Sequence, residues 1–378
     1  LFETMKGMES SENTMNELFD LPEYKKHLAQ RHNKQTIMLG FSDGTKDGGY
    51  VKANWEIFKT KEKLSAVCDR NDIKAIFFDG RGGPPARGGG KTHRFYAAQT
   101  KDIANNEIQL TIQGQTITST YGTKEQFIHN SEQLLTAGLS NNFFGKENVI
   151  SKESRQLLEE LSDLSFEKYD ALKNHDKFIA YLENKSTLKY YQKANIGSRP
   201  GKRGHKKKLE LTDLRAISFV GSWSQLKQNV PGYFGIGTAI KILKDQGKLE
   251  DLKKLFKEVP LFKALMLNSM MSLAKCYFEL TSYMKDDEEY GEFWNILYEE
   301  YLLSKEMLLL ISDSKILMEK ESVSRESVKI RENIVLPLLV IQQFALQQMS
   351  KETEYKELYE KIVIRSLYGN INASRNSA

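Results

Sequence analysis

Cysteine is scarce in this chain: Cys68 and Cys276 are the only two among 378 residues, far apart and outside any CxxC or Cys/His spacing. That excludes a disulfide framework and a cysteine zinc site, and makes a reducing, cytoplasmic setting the default expectation. No apolar run approaches the roughly 18 residues of a membrane span, and the N-terminus lacks the basic-then-apolar order of a signal peptide. Charge of one sign is not in excess: 55 Lys and Arg stand against 50 Asp and Glu, a net +5. A general polyanion binder is therefore not expected, and basic residues must act through local clusters. Two phosphate-binding fingerprints are also missing. "GGGKT" ends like a Walker A loop, but the required spacing puts Pro85 where glycine must stand, and the same proline breaks G-x-G-x-x-G counted from Gly80.

What is present is the composition of an ordinary globular protein, 40% hydrophobic and 28% charged. The length exceeds the roughly 250–300 residues of a single core, so one large domain or two closely packed ones are expected. "LFET" starts inside an apolar segment without an initiator Met, which reads as a fragment. The runs 36–42 and 74–79 are apolar, rich in β-branched and aromatic residues, and followed by glycine-rich turns, as buried strands are. Between them, 50–72 carries apolar residues at helical spacing, which makes a strand–helix–strand unit and a parallel sheet. Functional residues in such folds gather on loops after strand ends, and "SDGTKDGG" and "DGRGG" occupy such places. The alternation in 107–117 predicts a strand. Helices are expected at 123–138, 152–170 and 178–193, then a basic loop at 197–208 and another strand at 214–223. Beyond 236 the pattern predicts helices at 236–246, 250–285, 287–320, 324–349 and 352–367, punctuated by Pro231, Pro260 and Pro337. The fold class is mainly α with an α/β core.

The chemistry concentrates in "FFDGRGGPPARGGGKTH" (77–93). Glycine allows close backbone approach, Pro84 and Pro85 stiffen the loop, and Arg81 and Arg87 supply planar forks suited to phosphate or carboxylate. An RGG-type RNA-binding segment would instead lie in low-complexity sequence without flanking strands. In "GFSDGTKDGG" (40–49), Asp43, Lys46 and Asp47 suit a hard cation or a phosphate, yet Asp and Gly are also ordinary turn formers.

Taken in order, "LFET", "MLGFSDGTKDGG", "FFDGRGGPPARGGG", "IGSRPGKRG…LRAI" and "RNSA" resemble the C-terminal half of bacterial phosphoenolpyruvate carboxylase, over essentially the whole chain. The resemblance implies the later strands of a β/α (TIM-type) barrel over 1–235 and a helical region carrying an effector site over 236–378. It implies carboxylation of phosphoenolpyruvate by bicarbonate to oxaloacetate and phosphate, with Mg²⁺ or Mn²⁺ held by Glu3 and Asp43. Substrate would be held by Arg81, Arg199 and Arg215, with Lys46 beside the metal and Arg87 near the bicarbonate on a mobile loop. Aspartate or malate would inhibit through Arg87, Lys275, Arg331 and Asn376. Further implied are a homotetramer of the complete enzyme, a cytoplasmic location and no nucleic-acid or membrane partner.

The sequence departs from that pattern at Asp79, where the family usually has His, at Ala86 in place of Gly, and at its "NSA" terminus. The family's catalytic histidine lies in an N-terminal half that this chain lacks, so the fragment is expected to be inactive alone. It should also expose sheet edges and apolar faces unless that half is supplied. The alternative is a non-catalytic anion-binding or regulatory homologue, for which Asp79 would be the chief support.

Overall fold

In the computed structural model, which describes residues 1–103, 107–112, 115–143, 148–191, 193, 209–351 and 354–374, short helices α1 (Met5–Glu9), α2 (Ser11–Asp20) and α3 (Pro22–Gln30) precede β1 (Lys34–Gly40). After β1 come α4 (Phe41–Gly48), α5 (Tyr50–Arg70) and β2 (Lys74–Gly80). The strand–helix–strand unit is therefore present, and the two strands pair in parallel from Lys34 opposite Lys74 to Gly40 opposite Gly80. The crossover helix buries Val51, Trp55, Ile57, Phe58, Leu64 and Val67 against the sheet and its neighbours, each such side chain contributing about 1.5–3 kcal/mol. Phe2 extends the sheet beyond β1 through a parallel bridge to Leu39.

Several expectations need correction. "FSDGTKDG" is not a loop but α4, because Gly40 can leave the strand directly into a helix whose first turn carries Asp43. The strand expected over 107–117 is only β3 (Ile108–Leu110), paired in parallel with β2, and Gln115–Tyr121 is already helix α7. The segment 214–223 is not a strand: Ala216–Gln225 is helical and buries Phe219, Val220 and Trp223. Its apolar run is short enough to suit either state, and packing decided. The basic loop 197–208 lies outside the described residues.

The helices that follow α7 are α8 (Lys124–Phe143), α9 (Lys152–Lys173), α10 (Lys177–Lys185), α11 (Leu188–Tyr191), α12 (Ala216–Gln225), α13 (Ile236–Asp245), α14 (Leu249–Glu258), α15 (Pro260–Ala274), α16 (Gly291–Ile311), α17 (Ser322–Met349) and α18 (Lys356–Ser374). Pro260 opens α15, where a missing N–H costs nothing. Pro337 does not end a helix but sits within α17. The architecture is thus mostly helical around a small three-stranded parallel sheet among the described residues. No helix among them is long and apolar enough to cross a membrane.

One core cluster draws on both sides of residue 235, from Phe2, Trp55 and Phe77 to Ile240, Leu265 and Met307. A second, aromatic cluster sets α12 against α10 and α16: Trp223 lies 5.8 Å from Phe178, and Tyr181 5.0 Å from Phe293, ring centre to ring centre. α16 also carries the buried Glu300, which ties it to the start of α13. Its carboxylate accepts from the Gly235 and Thr238 N–H groups at 3.2 and 3.1 Å and from the Thr238 hydroxyl at 2.5 Å, supplying from another helix the cap that α13 lacks. Glu300→Ala leaves these donors buried and unpaired, and is expected to lower stability by about 2–4 kcal/mol in urea unfolding. A change below 0.5 kcal/mol would refute the cap.

Candidate functional site

Gly40 and Gly80 end their strands side by side, so the residues that follow them emerge at the same edge of the sheet. After Gly40 the chain turns into α4, and that helix is the hub of the site. Its Phe41 ring lies 5.3 Å from the Arg81 guanidinium. Its Ser42 hydroxyl accepts from Arg87 Nε at 3.4 Å. Its Asp43 attracts the Arg87 charge electrostatically. Its Lys46 ammonium donates to the Leu214 carbonyl at 2.7 Å and the Leu211 carbonyl at 3.4 Å, holding the turn from which Arg215 leads into α12. Lys46 is thus set against a backbone turn that presents an arginine, a contact its place in the sequence did not announce.

The glycine-rich loop after β2 is folded back on itself. Gly82 N–H donates to the Arg87 carbonyl at 2.7 Å, and Gly88 and Gly89 N–H to the carbonyls of Pro85 and Pro84 at 2.8 and 2.9 Å. The loop is packed here, and both arginines on it are buried. Arg81 Nε donates to the Gly88 carbonyl at 2.5 Å, and the guanidinium lies over Phe95 at 4.2 Å. Burial pushes the Arg87 guanidinium down to about 10, and Asp43 partly opposes that shift. Arg81 NH1 and Arg215 Nε are sealed from solvent without a hydrogen-bond partner.

Glu3 follows the Phe2 bridge, so it lies against the end of β1: a Cβ built on Gly40 would meet Glu3 Cγ at 2.8 Å, and one on Gly44 the Glu3 carbonyl oxygen at 3.6 Å. Met5 N–H donates to Asp47 at 2.9 Å and ties this segment to α4. Glu3 and Asp43 therefore share one strand end. No group of three or more His, Cys, Asp or Glu suited to a metal occurs among the described residues. A pair of carboxylates fits a magnesium-type site, which ordinarily completes its shell with water and substrate oxygens.

Lys275 and Arg331 border one small cavity with Lys227 and Glu332. Lys227 pairs with Glu332 at 2.5 Å, whereas Lys275 Nζ is sealed without a partner although the residue as a whole is only half-buried. Burial, then the Lys227 and Arg331 charges, push Lys275 down to about 8, with Glu332 opposing. A lysine lowered in the folded state destabilises it wherever the unfolded chain is protonated, so stability should rise as pH goes from about 8 towards 10.5. Comparison of urea midpoints with Lys275→Met over that range isolates the effect: the rise attributable to Lys275, about 1–3 kcal/mol, should be missing in the variant. Identical pH slopes would contradict it.

Arg331 also borders a larger cavity, of about 450 Å³, that reaches the loop at Arg81 and Gly82 and includes Lys91, His93 and His129 but, among the described residues, no carboxylate. Arg199 and Asn376 lie outside the described residues. Sequence reasoning missed Lys61, whose ammonium lies 2.7 Å from Asp79 Oδ2, both side chains fully buried. The signal was there, since Ile57, Lys61, Leu64 and Cys68 recur on one face of α5.

The sequence model of the family described as phosphoenolpyruvate carboxylase matches residues 1–374. Among curated proteins, the chain is 32% identical over 388 aligned positions to a phosphoenolpyruvate carboxylase of Corynebacterium glutamicum, covering 100% of this chain and 42% of that protein. It is 34% identical over 353 positions to that of Corynebacterium efficiens, with 90% and 38% coverage, and 30% identical over 389 to that of Corynebacterium diphtheriae, with 100% and 43%. The chain thus spans about two fifths of the length of these relatives.

Proposed function

The chain belongs to the phosphoenolpyruvate carboxylase family, and from that premise we propose that it contributes the metal- and anion-binding part of an enzyme that carboxylates phosphoenolpyruvate with bicarbonate, giving oxaloacetate and phosphate. One observation carries this reading. Arg87 bonds Ser42 of α4, Arg81 lies over Phe41, Lys46 holds the turn before Arg215, Glu3 lies against the end of β1, and two of the guanidinium groups keep buried N–H donors unpaired, which supports an anion site around α4. A substrate bearing a phosphate and a carboxylate matches that surplus of fixed donors.

Glu3 and Asp43 would hold Mg²⁺ or Mn²⁺, which when bound supplies positive charge to the phosphate and the enol oxygen. Arg81 and Arg215, with Arg199, hold the phosphate and carboxylate of the substrate. Lys46 fixes the Arg215 turn and adds its charge beside the metal ligands. The phosphoryl group passes to bicarbonate, giving carboxyphosphate and the pyruvate enolate. Carboxyphosphate releases CO₂ and phosphate, and the enolate carbon attacks CO₂. The arginines stabilise the charge that develops on phosphoryl and enolate oxygens. The packed glycine loop, with Arg87 towards the bicarbonate, excludes water that would otherwise protonate the enolate to pyruvate.

The parallel strands, with α5 crossing between β1 and β2 and the functional residues at their C-terminal ends, support reading residues 1–235 as the later part of a β/α barrel, with 236–378 as a helical effector region. Apolar side chains exposed on α8, such as Phe127 and Leu135, support docking of the N-terminal half of the same enzyme. The complete enzyme would be a cytoplasmic homotetramer inhibited by aspartate or malate at Lys275, Arg331, Asn376 and Arg87. The surplus of positive charge around Lys275 supports that inhibitor site. The chain alone is expected to form no oxaloacetate. Coexpressed with the N-terminal half of a relative, it should form oxaloacetate with bicarbonate and Mg²⁺, and Asp43→Asn should abolish it. A properly assembled complex that stays silent would sink the proposal in favour of a non-catalytic anion binder.

A further inference from the structure

Asp79 is the penultimate residue of β2, two residues before Arg81, and its carbonyl accepts the Arg81 N–H at 3.0 Å. A carboxylate so close to a guanidinium is its natural partner, yet the two form no ion pair. Asp79 Oδ2 accepts instead from Lys61 Nζ at 2.7 Å and from the Tyr96 hydroxyl at 2.6 Å. Asp79 Oδ1 and Arg81 NH1 are both left buried without a partner. Lys61 reaches this point from α5 through aromatic surroundings, 5.3 Å from the Phe77 ring centre and 5.4 Å from that of Phe95, whose ring also carries Arg81. Burying an ammonium there is unfavourable unless a carboxylate meets it, so Lys61 and Asp79 depend on each other.

We infer that Lys61 is a positioning residue for Arg81: by holding the Asp79 carboxylate on its ammonium, it denies that carboxylate to the guanidinium and keeps Arg81 available for an external anion. The inference rests on the functional reading above only in taking Arg81 as an anion-binding group. The charged and titratable groups facing Lys61 are Asp79 from β2, Arg81 from the loop and Tyr96 from α6 (Thr92–Ala97). Burial lowers Lys61, with Asp79 opposing. An uncharged partner at 79 would therefore be met by an amine that gives up its proton more readily, and Asp79→Asn should fold.

The test is calorimetric titration of the 378-residue chain with inorganic phosphate, and separately with phosphoenolpyruvate, at a temperature where every variant is folded by circular dichroism. Lys61→Met frees Asp79 to pair with Arg81, and is expected to weaken phosphate binding by tenfold or more. Lys61→Met/Asp79→Asn removes the competitor as well and should return affinity to within threefold of the unaltered chain. Asp79→Asn alone should bind phosphate at least as tightly as the unaltered chain, and it carries the test if Lys61→Met does not fold. A purely structural pair predicts the opposite for Asp79→Asn, a loss. Equal phosphate affinity in the unaltered chain and Lys61→Met, no rescue in the double variant, or no phosphate binding at all would overturn the inference. Phosphate binding without preference for phosphoenolpyruvate would count against the substrate assignment and leave this inference standing.

Discussion

Gly89→Ala is expected to lower stability by about 3 kcal/mol and to abolish phosphoenolpyruvate binding. A methyl group at 89 would stand 1.8 Å from the Gly83 carbonyl oxygen and 2.4 Å from its carbon. Both neighbours are backbone, so no rotamer change relieves the clash, and the two limbs of the loop must separate. Overpacking in cores typically costs about 1–3 kcal/mol, and a clash with backbone lies at the upper end. Separation also releases the Gly88 carbonyl from Arg81 Nε and unseats the guanidinium from Phe95. Gly138→Ala is the control: it lies in α8 with nothing within 4 Å of its new methyl, so helix propensity makes it neutral or stabilising by up to about 1 kcal/mol. Urea unfolding reads the first effect and calorimetry the second. If Gly89→Ala behaves like Gly138→Ala, the loop does not adopt this packed form.

Arg81→Gln should weaken phosphoenolpyruvate binding by roughly 100- to 10,000-fold. Charge-assisted hydrogen bonds contribute about 1.5–3 kcal/mol each, and every 1.4 kcal/mol is tenfold, so loss of two such bonds gives that range. Arg81→Lys should recover less than a tenth of the loss. A lysine offers one compact charge, whereas the site uses a planar fork stacked on Phe95 at 4.2 Å. Binding titrations of both variants, with folding checked by circular dichroism, decide it. Full affinity in Arg81→Lys would mean that charge alone matters, and a loss below tenfold in Arg81→Gln would move the anion site away from the loop.

These two residues were legible as candidates because glycine and arginine announce themselves by composition. The same was true of β1, β2 and α5, whose apolar periodicity agrees with the contacts they make. Other elements were not legible. "FSDGTKDG" has the composition of a turn, and only its burial against α5 and the N-terminal segment makes it helix α4. Ala216–Gln225 is apolar enough for a strand, and the aromatic cluster around Trp223 holds it as a helix. The role of Lys61 was not legible, because local spacing does not report what lies across the core.

The sequence by itself determined the inventory and order of the chemistry: acids and glycines at the ends of two strands, arginines on the loop between β2 and α6, and a long helical remainder. Only the tertiary structure decided who meets whom. Lys46 holds a backbone turn 168 residues away, Asp79 is claimed by Lys61 instead of its neighbour Arg81, and Arg331 reaches the cavity that begins at the loop. The physical reason is that a charge taken out of water must find a compensating partner within a few ångströms, and which partner is in reach is a property of packing between elements far apart in the chain.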